Sequence, residues 1–143
     1  LERSYRIVFR TGDRLLPPTP PAQTVRLADL LGPGGALAGR CTQGACHSGS
    51  SGRHPAADLP LDIASGGIDG ARAALLSGRR RGVDGVPLVD VGSPETSYLL
   101  RKLLAAQPHA FTRIEGSPMP PFSDALSDEA LQTIDAWIRG GAN

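Results

Sequence analysis

Cys41-Thr42-Gln43-Gly44-Ala45-Cys46-His47 is the stretch on which the reading of this chain turns. Two thiols lie close together, and an imidazole directly follows the second. Such thiols can add across the two vinyl groups of a haem, while the adjacent histidine reaches the iron from one face. The usual attachment motif leaves two residues between the cysteines; here four intervene. A longer loop still reaches both vinyls if it bulges, and Gly44 permits a bulge. Three other readings compete at this point. A Cys41–Cys46 disulfide would make His47 a bystander. A zinc site would have to recruit His54 or His109, because no second cysteine pair exists. A Cys/His nucleophilic pair would need a third group to orient the imidazole, and none is evident.

Around that stretch, the composition narrows the class. A chain of 143 residues is one domain plus at most a tail. Fifteen Lys and Arg against 14 Asp and Glu leave +1, too balanced for a dedicated nucleic-acid or anionic-membrane binder. No run of about 18 apolar residues is present to span a bilayer. Eighteen glycines and 13 prolines stop short of the ~25–30% that marks disorder. Three Phe, two Tyr and one Trp are thin filling for a core of this size. Two cysteines are too few for a disulfide scaffold. The start at Leu1 rather than Met is expected of a processed or trimmed product whose export signal is gone.

The chain divides into an N-terminal arm over 1–35 and a domain over 36–143. In the arm, residues 4–10 alternate polar and apolar like a short strand, and Pro17-Pro18-Thr19-Pro20-Pro21 forms an extended linker. Thr24 is expected to cap a short helix through Leu31, stopped by Gly32-Pro33-Gly34-Gly35. Ala36 to Arg40 reads as a short helical stretch, 48–69 as a Gly/Ser-rich loop, and Asp69 as the cap of a helix through Leu76. Val83 to Val91 reads as extended. Ser93-Pro94-Glu95 carries the signals of a helix start, with Tyr98, Leu99, Lys102 and Leu103 at helical spacing behind it. Ser127-Asp128-Glu129 opens a last helix whose apolar face is Leu131, Ile134, Trp137 and Ile138, with Leu126 and Leu131 placed as a hydrophobic staple. The expected fold is mostly α with long loops.

A haem iron that carries electrons needs a second axial ligand beside His47. Met119, the single methionine, sits in Ser117-Pro118-Met119-Pro120-Pro121, where prolines stiffen a non-helical loop that can hold a thioether in place. Filling a core gap is the ordinary alternative for a methionine. His109 is the rival ligand, and His54 reads as solvent-exposed.

Four segments in order carry a family resemblance: Cys41 to His47, Val91-Gly-Ser-Pro-Glu-Thr-Ser-Tyr-Leu-Leu100, Met119-Pro-Pro121, and Leu126-Ser-Asp-Glu-Ala-Leu131 through Ala142. Together they resemble a monohaem class I cytochrome c, in particular bacterial cytochrome c-like domains with four residues between the cysteines. The resemblance covers about residues 36–142. It implies a small helical domain around one haem c, with Cys41 and Cys46 as the thioether positions, His47 and Met119 as axial iron ligands, and the helix through Ile138 packed across an N-terminal one. A porphyrin would also answer the shortage of aromatic residues, walled by Leu59, Val89, Leu99, Leu103, Phe111, Ile134 and Trp137.

The function so implied is electron transfer rather than enzymatic catalysis, in a respiratory or photosynthetic chain outside the cytoplasm. Methionine ligation places the iron at a higher potential than two histidines would. Redox proteins, including subunits of a membrane electron-transfer complex, are the expected partners, and Arg79-Arg80-Arg81 is either a solvated loop or a docking patch for an acidic one. Two further classes stand beside this reading: a haem enzyme or gas-binding protein with an open iron site, and an exported interaction module with a Cys41–Cys46 disulfide and no haem.

Overall fold

The computed structural model describes residues 24–43, 46–50, 52, 54–78, 85–108, 114, 116–121 and 125–143. The strand expected over 4–10, the proline linker, His109, Phe111 and the Arg79–Arg81 cluster lie outside them. Among the described residues the fold is mostly helical and without strands. It runs α1 (Leu27–Leu31), a 3-10 turn (Ala56–Asp58), α2 (Ile63–Ser77), α3 (Tyr98–Leu104) and α4 (Asp128–Arg139).

The last helix forms as its sequence dictates. Ser127 caps it, its hydroxyl accepting the Ala130 amide at 3.2 Å. Asp128 and Glu129 lie in the first turn and Arg139 in the last, in the sense the helix dipole favours. Leu131, Ile134, Trp137 and Ile138 are all buried, as is the staple residue Leu126. Burying those four helix side chains contributes roughly 8 kcal/mol. The exposed Arg139–Asp135 pair at 2.8 Å contributes about 0.4 kcal/mol. Apolar burial therefore holds α4 in place.

Helix α1 packs against α2 and α4, with Leu27, Leu30 and Leu31 buried in the same core. The sequence reading placed this helix in an arm laid on a domain or on a partner, and its leucines pack in the core with those of the later helices. Its cap also differs. Arg26, not Thr24, is the capping residue, and the Asp29 carboxylate accepts the Arg26 amide at 2.8 Å. The following turn brings Gly35 against the helix so closely that a Cβ there would stand 2.4 Å from the carbonyl oxygens of Asp29 and Leu30. The Leu37 amide then bonds Leu30 O at 2.9 Å. Residues 36–40 form turns rather than the expected helical stretch.

Helix α2 starts earlier than its Asp69 signal suggested. Asp62 is the N-cap, and the backbone breaks at Gly67, where φ is +66°. Helix α3 starts later than expected, at Tyr98, because Ser93 to Thr96 make a turn whose carbonyls take the Thr96 and Ser97 amides. The first amides of α3 are satisfied by backbone instead: Tyr98 N–H donates to Pro87 O at 3.2 Å and Leu99 N–H to Leu88 O at 2.8 Å. That leaves 85–91 as turns with a single bridge at Pro87 rather than one extended run. The Leu88 amide returns to Gly78 O at 2.9 Å, joining the end of α2 to the start of α3. The C-terminal segment closes the fold, since Asn143 O accepts both the Leu27 amide at 2.8 Å and the Trp137 indole N–H at 3.0 Å.

Candidate functional site

The Cys41–His47 segment folds back on itself. The His47 amide donates to Cys41 O at 3.0 Å, and the Cys46 amide donates to Gln43 O at 2.8 Å. Outside bonds fix both ends: Cys41 N–H to Leu37 O at 3.1 Å, Ala56 N–H to Cys46 O at 2.7 Å, and Leu61 N–H to His47 O at 2.7 Å. Both cysteines are free thiols, Cys41 buried and Cys46 half-buried. Burial, and secondarily the neighbouring Cys46, pushes the Cys41 thiol up to about 11, with Arg40 opposing. A neutral thiol is a poor nucleophile, which disfavours the Cys/His catalytic reading for Cys41.

The His47 ring is held by a carbonyl. Its Nδ1–H donates to Leu59 O at 3.1 Å, because a carbonyl can only accept. Burial lowers its pKa, the nearby Lys102 charge acting in the same sense while backbone hydrogen bonds oppose. A neutral ring with Nδ1 protonated leaves the Nε2 lone pair free, which is the state a metal-ligating histidine requires.

Met119 is half-buried and packed against the core. A single cavity of about 680 Å³ is lined by Cys41, Cys46, His47 and Met119. Its size falls within the range of cofactor sites. Tyr98, Leu99, Lys102 and Leu103, the helical face read from the sequence, make another part of the wall, and Leu37, Leu59 and Leu88 complete much of the rest. Of the other residues expected to form this wall, Val89, Ile134 and Trp137 are buried in the core but do not line the cavity. They fill the interior behind it. His54 is exposed and stands apart from the cavity.

Two residues hold the walls: Asp62, which sequence reasoning did not single out, and Lys102, which it read only as part of a helical face. Asp62 is a buried carboxylate, 9% exposed, that accepts from the Ser48 hydroxyl at 3.0 Å, the Gly49 amide at 2.9 Å, the Ser50 amide at 3.2 Å and the Ser50 hydroxyl at 2.5 Å, and also from the Ser65 hydroxyl. These bonds, with those of Ser50 and Ser65 foremost, hold its pKa well below the usual carboxylate range. The network fastens the chain just after His47 to the start of α2. Lys102 on α3 fastens the other wall. Its carbonyl accepts the Met119 amide at 3.2 Å, and its ammonium donates to Ser117 O at 2.9 Å. The signal for Asp62 was an acid ahead of an apolar run with serines three and further residues away. It was masked by the equally plausible cap at Asp69.

Comparison with protein-family models, with curated proteins and with solved structures finds no match to this chain. The site therefore rests on its own chemistry. An apolar cavity lined by two thiols, a neutral imidazole and a thioether suits a large flat apolar group that binds through an imidazole nitrogen and a sulfur. Among the described residues no helix is long and apolar enough to cross a membrane.

Proposed function

We propose that this chain is an electron-transfer domain of the class I cytochrome c type, carrying one covalently attached haem. One observation carries the reading: Met119 lines the same apolar cavity as Cys41, Cys46 and His47, though half the chain separates them. The donors fit the group. The Cys41 and Cys46 thiols would each add sulfur and hydrogen across one vinyl, so no atom is lost. His47 Nε2 and the Met119 sulfur would hold the iron. When bound, the haem supplies a one-electron iron couple. The protein's part is to keep the imidazole neutral by burial, to place its proton on Nδ1 through the Leu59 bond so that Nε2 is free, to exclude water with the leucine wall, and to hold the thioether in place. Redox proteins would be the donor and acceptor, met outside the cytoplasm.

The test is intact mass and absorption of chain produced in a host that attaches c-type haem. A mass equal to polypeptide plus one haem, surviving acid–acetone extraction, is expected. A mass lower by two hydrogens and a colourless protein would mean a disulfide and would end the haem reading.

A further inference from the structure

We propose that Lys102 is the positioning residue of the methionine loop: through its carbonyl and its ammonium together, it holds residues 117–121 so that Met119 faces the cavity. This rests on the haem reading above. The physical argument begins with the prolines. In Ser117-Pro118-Met119-Pro120-Pro121 only Ser117 and Met119 have backbone N–H groups. A loop so poor in donors cannot be held by a regular backbone ladder, and its position depends on a few bonds. The Met119 amide goes to Lys102 O at 3.2 Å, and Ser117 O receives Lys102 Nζ at 2.9 Å. The first residue of the loop and its central methionine thus converge on one residue.

Lys102 is well placed for this. Its neighbours on α3, Leu99, Leu100 and Leu103, are buried, so the helix is a fixed platform. The ammonium lies 5.8 Å from the centroid of the Tyr98 ring, and both residues line the cavity. The chain enters the loop through Gly116 in the left-handed region, φ +74°, where a Cβ would meet Lys102 Nζ at 3.7 Å. The side-chain bond distinguishes Lys102 from an ordinary helical residue: any residue at this position supplies the carbonyl, and only a long cationic donor supplies the second tie.

The experiment uses the haem-loaded full chain with imidazole as a competing ligand for the ferric iron. Lys102→Leu keeps an apolar stem and the carbonyl but deletes the ammonium. It should bind imidazole roughly fivefold more tightly than the parent, the shift expected from losing one hydrogen bond that holds the methionine closed. The Met-to-iron charge-transfer absorption should weaken, and Lys102→Arg should recover most of both. A residue that merely stabilised the fold would lower the unfolding temperature without changing imidazole affinity. That result, or an Arg variant that behaves as the Leu variant does, overturns the clamp. Met119→Ala is measured alongside. If it becomes high-spin while Lys102→Leu matches the parent, the clamp alone fails. If it leaves the parent spectrum unchanged, methionine ligation fails and takes the clamp with it.

Discussion

His47 and Leu59 are joined twelve residues apart by a 3.1 Å hydrogen bond from the imidazole Nδ1 to the backbone carbonyl. The same segment also takes the His47 carbonyl through the Leu61 amide at 2.7 Å. Ring and main chain are therefore held by one short stretch, Leu59-Pro60-Leu61. No side-chain substitution can remove a carbonyl acceptor, but Pro60 limits the conformations that present it. Pro60→Ala should lower stability by about 0.5–1 kcal/mol in chemical denaturation, chiefly through a freer unfolded chain. It should leave the haem attached.

Asp62 predicts a pH dependence whose sign can be worked out. Its folded pKa lies below its unfolded value, so its contribution is fully present above the unfolded pKa, near 4, and is lost as pH falls through the folded one. Asp62→Asn cannot accept from Ser48, Gly49, Ser50 and Ser65 together. It should cost about 2 kcal/mol at neutral pH. Urea midpoints measured from pH 7 to pH 2 should fall steeply below pH ~4 in the parent and less steeply in the variant.

On the proposed function, Met119→Ala should leave the haem covalently bound, since attachment would be through Cys41 and Cys46. Opening one axial position should move the ferric spectrum toward high spin. The reduction potential should fall by on the order of 0.1 V or more, within the ~0.8 V span that axial ligands control. Redox titration of parent and variant in the same buffer reads the difference.

Gly35→Ala tests the junction between α1 and the cysteine segment. The added methyl would stand 2.4 Å from two backbone oxygens, which cannot swing aside as a flexible side chain would. A loss of about 3 kcal/mol is expected, seen as a lower urea midpoint at unchanged slope.

Legibility in the sequence followed how local the signal was. The last helix was readable to the residue, because Ser127, the staple and the apolar face all lie within one short window. The cavity face of α3 was readable too, since Tyr98, Leu99, Lys102 and Leu103 recur at helical spacing. Its start was not: Ser93-Pro94-Glu95 carries every local sign of a helix N-terminus, yet Asp90 N–H donates to the buried Ser97 hydroxyl at 2.8 Å and draws the segment into a turn. Helix α1 read as part of an arm because prolines and glycines flank it. Only the tertiary contacts of Leu27 and Leu30 reveal it as core. Asp62 and Lys102 act across loops, on partners that no periodicity announces. The cavity wall was half legible, since apolar character marks a residue as interior without saying which interior surface it faces.

The cavity also carries a consequence for how the chain assembles. The ring closed by His47 N–H on Cys41 O spans seven residues and can form from neighbours alone. The wall at Met119 must be brought in from half a chain away and docks on α3, itself seated by Leu88. Loop-closure entropy makes such remote contacts the slow ones. On the haem reading, this difference in range sets an expected order: the short cysteine ring forms first, and the bulky group is joined to its two thiols before the methionine side docks.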